Sequence, residues 1–281
     1  MFRGRVKQLA VAAGASVLLA SASLAIVPLV ASAAGSQTSG TTVTARPSPT
    51  VTGHPLTVVA QVVAVTGVVS TARAATGNVS TPTGTVDFTI TGTHGVPAIT
   101  CKNGNSVTVK HGRAKCKVIG GQLQAVGSPY TVTASYQGDD NFATSSGSTD
   151  VTVNRARTRT KVQMGPGRPR SGTPNAVTAT VKTAHGGSLL SGAVTFSVSS
   201  VPVTSKTKCT NGGAHGSNTQ PLVVVGNVGT AVCDLQPGWF VVSKVGPGNK
   251  YPHGAWNVTA SYGGDSNFLP SSGHKGGHSR S

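Results

Sequence analysis

A thirteen-residue stretch of this chain occurs twice. Residues 130–142 read YTVTASYQGDDNF and residues 256–268 read WNVTASYGGDSNF, 126 positions later. A chain that repeats a unit of this kind folds as two copies of one small module, because both copies must bury the same apolar positions. Features present in both copies are then expected to be architecture. Function is expected among features that only one copy has.

The duplication extends along most of the sequence. Thr41 to Val62 matches Thr160 to Val181, with Val43 on Val162, Pro47 on Pro166, Gly53 on Gly172 and Pro55 on Pro174. Gly84-x-Val86-x-Phe88-x-Ile90 matches Gly192-x-Val194-x-Phe196-x-Val198, and Gly112-x-Ala114-x-Cys116-x-Val118 matches Gly229-x-Ala231-x-Cys233-x-Leu235. The spacing changes only between blocks, so length differences belong to loops. Within each block apolar residues alternate with polar ones. Tyr130, Val132, Ala134 and Tyr136 share one face, and Thr131, Thr133 and Ser135 the other. Period-two alternation means antiparallel sheet with one face buried and one wet. Thr, Val, Ser and Gly abound while Glu is absent, which is poor material for helices. The predicted fold class is all-β: two tandem immunoglobulin-like antiparallel β-sandwiches.

Pro82-Thr83-Gly84-Thr85-Val86-Asp87-Phe88 and Ser135-Tyr136-Gln137-Gly138-Asp139-Asp140-Asn141-Phe142 resemble the bacterial immunoglobulin-like repeat of secreted and surface proteins. Gly192 to Phe196 and Ser261 to Phe268 carry the resemblance in the second copy, with Ser191 where the first has proline. It covers 41–153 and 158–273, leaving 154–157 as a linker and 274–281 as a disordered polar tail. The resemblance implies stalk, spacer or adhesive modules without catalysis, and names no ligand.

Arg3, Arg5 and Lys7 precede an apolar run from Leu9 to Val30, and Ala31-Ser32-Ala33 presents the small residues that a signal peptidase reads. Residues 1–33 are therefore expected to be a signal peptide. The run is also long enough for an anchor; with cleavage before Ala34, no membrane span is left and the chain is secreted, to the extracellular space or the cell wall. The full sequence holds 23 Lys and Arg against six acids, all Asp, and 20 of these cations remain after cleavage. Such a balance attracts anionic cell-wall polymers, more weakly as salt rises. Glycans and other surface proteins are the remaining candidate partners. No aromatic-interleaved basic motif or reader fold points to specific nucleic-acid binding. Oligomeric state is not written in the sequence.

Four cysteines in an exported chain allow three pairings. Each copy holds one pair at matching strand positions, which favours Cys101–Cys116 and Cys209–Cys233. Zinc is the rival reading, but there is no C-x-x-C, and the thiols would need His111 and His215 as neighbours. No metal or other cofactor is expected.

The sharpest polar motif is the Gly-Asp-x-Asn turn, from Gly138 to Asn141 and from Gly263 to Asn267, where Gly264 reads as an extra glycine. Asp139, Asn141, Asp265 and Asn267 suit a tight connection before the last strand, since Asp and Asn accept backbone hydrogens and tolerate left-handed geometry. Calcium is the alternative, with Ser266 in the second copy where the first has Asp140. The segment 236–255 is unmatched in the first copy and carries Trp239, Phe240 and Tyr251. Loops at a sandwich's end host binding sites, so these aromatics are the candidate ligand-binding residues for a sugar or protein. Arg155, Arg157, Arg159 and Lys161 form a basic cluster between the copies, read as a solvated linker. Leu269-Pro270-Ser271-Ser272-Gly273 looks like a sorting signal but lacks the hydrophobic stretch that would follow one. G-x-S-x-G, H-E-x-x-H and G-x-x-x-x-G-K-[ST] are all missing, so no enzyme activity is expected.

Overall fold

The computed structural model describes residues 37–65, 81–165, 175–186, 189–200, 209–211, 217–235 and 255–278. The proposed leader, 1–33, lies outside them. Helix among the described residues is limited to 3-10 turns at Ala125–Gly127 and at Leu189. No helix there is long and apolar enough to cross a membrane.

Alternation builds the first module. Strand β1 (Ser39–Arg46) pairs antiparallel with β3 (Leu56–Ala64), which pairs with β6 (Arg113–Val118). Facing that sheet is a second, in which β5 (Ser106–Thr108), β4 (Thr85–Thr91), β7 (Tyr130–Tyr136) and β8 (Ser145–Val151) lie in that order. Pro47 and Pro49 have no N–H to continue the β1 ladder. Beyond them β2 (Thr50–Val51) pairs in parallel with β9 (Val153–Asn154). The core is the inward face of both sheets: Val58, Ala60 and Val62 against Val86, Phe88, Val132 and Tyr136, all nearly inaccessible. Each such Val or Phe contributes roughly 1.5–3 kcal/mol by leaving water.

The second module repeats the plan. One sheet runs β10 (Thr158–Gly165), β11 (Asn175–Thr183), β15 (Val228–Leu235), β14 (Val223–Val225). The other runs β13 (Thr219–Pro221), β12 (Ala193–Ser200), β16 (Ala255–Tyr262), β17 (Ser271–His278). Its core is separate from the first and contains Val177, Ala179, Phe196, Cys233 and Val258. Strand order and register make each module an immunoglobulin-like sandwich.

Repeated detail reaches the hydrogen bonds. Gln37 bridges Phe142 in parallel, and Ala156 bridges Phe268 in the same way. Ser39 and Thr41 share the Ser145 hydroxyl, as Thr158 and Thr160 share that of Ser271. Gly147 and Gly273 sit where a Cβ would strike the carbonyl of Thr41 or Thr160, so glycine sets how closely the first strand crosses the last. Tyr130 opens β7 with its hydroxyl both donating to Gln124 O and accepting from Gln124 N, each at 3.0 Å. That is the tyrosine-corner device of immunoglobulin-like domains. Trp256 occupies the equivalent place in the second module.

Two expectations are corrected here. The polar tail expected from His274 is strand as far as His278, paired with β16 from Ala255↔His278 to Tyr262↔Ser271. An edge strand needs only backbone groups, so Gly, Ser and His suffice, and Gly277 lets the chain lie against the Trp256 indole. The linker 154–157 is also structured. Asn154 ends β9, while Ala156 is 5% exposed, donates its N–H to Asn267 O and accepts from Leu269 N. Arg155 and Arg157 remain exposed on either side.

Candidate functional site

The Gly-Asp-x-Asn turns are the best-defined polar sites in both modules. Asp139 Oδ1 accepts the N–H groups of Asn141 and Phe142, both at 2.8 Å. Its Oδ2 accepts from the Thr83 N–H at 2.8 Å and the Thr83 hydroxyl at 2.6 Å. In the second module Asp265 Oδ1 accepts from Asn267 N and Phe268 N. Asp265 Oδ2 accepts from Ser191 N, Ser191 Oγ and Tyr262 Oη, each at 2.9 Å. A carboxylate has about four acceptor sites, so both Asp residues are filled by the protein's own donors. What this arrangement does chemically is tie the turn before the last strand to the segment that opens β4 or β12, and set Phe142 and Phe268 into the core.

Electrostatics follow from that geometry. Partial burial opposes ionisation of Asp139, but the hydrogen bonds from Thr83, Asn141 and Phe142 outweigh it and hold the carboxyl well below the usual range. Burial, reinforced by the neighbouring Asp139 charge, pushes the Tyr136 phenol up to about 12. Burial and Asp265 raise Tyr262 further still. The two tyrosines differ in bonding: Tyr262 Oη lies 2.9 Å from both Asp265 Oδ2 and Ser191 O and shares its one proton between them, whereas the Tyr136 hydroxyl lies beside Asp139 but outside good hydrogen-bonding geometry.

The structure realigns two positions. Ser191 replaces Thr83, which makes the same pair of bonds, and so Leu190 takes the place of Pro82. Gly264, not Gly263, is the counterpart of Gly138: they have φ of 81° and 80°, and a Cβ on either would lie 2.8 Å from the Phe268 or Phe142 carbonyl oxygen. Gly263 is the additional glycine.

Both cysteine pairs are disulfide-bonded in the structure, Cys101 to Cys116 and Cys209 to Cys233, with Cα atoms 5.3 and 4.9 Å apart. Each bridge fastens the loop after β4 or β12 to the strand β6 or β15. Beside them Lys102 N donates to Lys117 O, and Thr210 N to Asp234 O. Asp87 and Asp234, the two acids on β4 and β15, belong to different modules and do not form a catalytic pair. Trp239, Phe240 and Tyr251 lie outside the described residues.

At the module junction the copies diverge. Asn141 is exposed, whereas Asn267 is 6% exposed. Asn267 Oδ1 accepts from Val126 N at 3.4 Å, and its amide donates to Gln124 Oε1 at 3.5 Å. Val51 packs against the second module's core. Gly53 and Gly186 approach so closely that a Cβ on Gly186 would lie 2.9 Å from Gly53 Cα. The His54 and His185 rings meet edge to face with centroids 5.0 Å apart.

A basic cleft, which the sequence reading did not single out, opens between the edge strands β5 and β6. It has a volume of about 570 Å³ and is lined by Lys102, Lys110, Arg113, Lys115 and Lys117 with no carboxylate. The available signal was a difference between the copies: Arg113-x-Lys115-x-Lys117 stands against Thr230-x-Val232-x-Asp234.

Fold and site together define a protein of two immunoglobulin-like modules. No protein-family model and no curated protein matches the sequence. Among solved structures it is similar to the adhesin InvE of Yersinia pseudotuberculosis, at 15% identity and a TM-score of 0.36, over 86% of this chain and 59% of that one. The Escherichia coli adhesin FdeC matches at 15% identity and 0.28, over 84% and 62%. The ectodomain of mouse nectin-like molecule 4 matches at 11% and 0.25, over 83% and 61%. The chain thus spans about three fifths of each. The sandwich assignment rests on strand order and register.

Proposed function

We propose that the chain is an exported, non-enzymatic spacer or adhesive element acting at or outside a bacterial cell wall. The junction carries this reading. Asn267, Val51 and the Gly53–Gly186 approach are contacts that would hold two modules at one angle, which a stalk needs and a flexible pair of domains lacks. The polar motif shared by both modules supports it as well, since its acceptors are engaged internally rather than turned to a substrate. Export rests on the leader-like start and on four cysteines that suit an oxidising compartment.

Small-angle scattering of the chain lacking 1–33 tests the spacer role. One arrangement of the modules should fit the wild-type curve, and a short Gly-Ser insertion between Asn154 and Arg155 should require an ensemble. Wild-type and insertion proteins that both need the same broad ensemble would overturn it. In fractionated cells, the protein should be recovered from wall and medium with Ala34 as its first residue; recovery in the membrane with residues 1–33 attached would argue for an anchor. The second reading places glycan or protein binding in the aromatic loop: Trp239→Ala would then abolish wall retention, which the spacer reading leaves intact.

A further inference from the structure

We propose that the cleft between β5 and β6 of the first module binds a linear anionic polymer of sugar or polyol units. The inference goes beyond the spacer reading and stands whether or not the junction is rigid. Its first support is the lining itself. Five exposed cations converge on one cleft, and no acid is among its lining residues. Arg113, Lys115 and Lys117 alternate along β6, so their side chains leave one face of the strand about 7 Å apart. Lys102 comes from the loop opposite, and Lys110 from the tight turn that leads into β6.

The second support is an internal control. In the second module the backbone bond from Thr210 N to Asp234 O repeats the bond from Lys102 N to Lys117 O, and the bridge Cys209↔Leu235 repeats Cys101↔Val118. At the corresponding positions the second module carries Thr210, Thr230, Val232 and Asp234, and there β14 pairs along β15 at Thr230. A module of this plan is thus built without cations at these positions, and the first module places Arg113, Lys115 and Lys117 on an edge strand that no further strand covers among the described residues.

The ligand class follows from what else lines the cleft. Asn103, Ser106 and Thr108 offer neutral hydrogen-bonding groups suited to hydroxyls along a polymer. No aromatic side chain is among the lining residues, so nucleobases find no stacking platform, the main source of single-strand affinity besides charge. Arg113 also lines a neighbouring cleft with Arg46 and Gln61, which extends the positive track across the face of β1, β3 and β6. A polymer longer than the first cleft would follow it.

Binding of fluorescently labelled heparin fragments, poly(glycerol phosphate) and oligo-dT to the chain lacking 1–33, at about 0.15 M salt, tests the proposal. The variant R113Q/K115Q/K117Q is compared with R155Q/R157Q/R159Q, which removes equal charge between the modules. All six side chains are exposed, Arg155 also donating to Asp265 O at 3.4 Å, and thermal unfolding of both variants checks that the fold is kept. The cleft variant should lose about tenfold or more in affinity for heparin or poly(glycerol phosphate), and its salt slope should shrink by about two, at roughly 0.7 per lost contact. The other variant should stay within about threefold of wild type. Whichever polymer binds more tightly distinguishes a sulfated or carboxylated glycan from a phosphate-linked one.

Equal losses in the two variants would overturn the proposal in favour of diffuse charge. Oligo-dT bound as tightly as either polymer, with the same loss in the cleft variant, would overturn the ligand class. A cleft variant that keeps its affinity but self-associates would show that these cations only guard a bare sheet edge, a role lysines commonly have.

Discussion

Reduction of the two disulfides should lower the melting temperature of each module by roughly 12–28 °C. The bridges close segments of 15 and 24 residues. The loss of unfolded-state entropy on closing loops of that length is equivalent to roughly 3 and 3.5 kcal/mol. For domains near this size each kcal/mol moves the midpoint by about 4–8 °C. The modules are sensitive to it because their cores are built largely from Val and Ala, with few large side chains to compensate. Calorimetry with and without reductant gives the shift. Cys101→Ala/Cys116→Ala should reproduce the effect on the first module alone, and reductant should then change only the second. A melting profile that reductant leaves in place would contradict the bracing role.

Asp139→Ala should destabilise the first module by about 2–3 kcal/mol, because two backbone N–H groups, those of Asn141 and Phe142, and both donors of Thr83 lose their acceptor together. The figure is kept below the sum of four charged hydrogen bonds because the turn is partly open to water, which re-solvates some donors. Asp139→Asn should cost less, since it keeps an oxygen for the Asn141 and Phe142 N–H groups but faces Thr83 with a donor. The pH dependence has a definite sign. The folded carboxyl titrates below its ordinary value of 3.8, so its contribution is complete above that value and is lost as pH falls from there toward the folded value. Urea titrations across the acid range should show wild type converging on Asp139→Asn as pH drops below about 4. A stability gap that persists unchanged into strong acid would mean that the charge contributes nothing.

The fold was legible because two copies with the same alternation leave little choice. Val86-x-Phe88-x-Ile90 and its counterpart in the second copy fix which face is buried, and register follows. The turn residues were legible as a motif, but their partners were not: the bonds from Thr83 to Asp139 and from Ser191 to Asp265 join segments far apart in sequence. The match of Ser191 with Thr83 rather than Pro82 was itself legible, since each directly precedes the aligned glycines Gly192 and Gly84. Strand β17 was missed because an edge strand of Ser, Gly and His carries no apolar period. The structured 154–157 segment was missed for a related reason, as alternating Arg residues conceal one buried alanine. The different fates of Asn141 and Asn267 depend on the neighbouring module, and nothing local to either residue reports that. Four of the cleft's cations, Lys110, Arg113, Lys115 and Lys117, lie within eight residues and could be read along the chain, whereas Lys102 reaches β6 only through the fold, where its N–H donates to Lys117 O.

Residual dipolar couplings measured on both modules of the chain lacking 1–33 test the account most directly. Backbone N–H couplings from 39–154 and from 158–278 should fit a single alignment tensor, with the Asn267 side-chain amide protected from exchange at its contact with Gln124. Two tensors of clearly different magnitude, together with rapid exchange of that amide, would mean that the modules move independently and that the junction described here does not hold them.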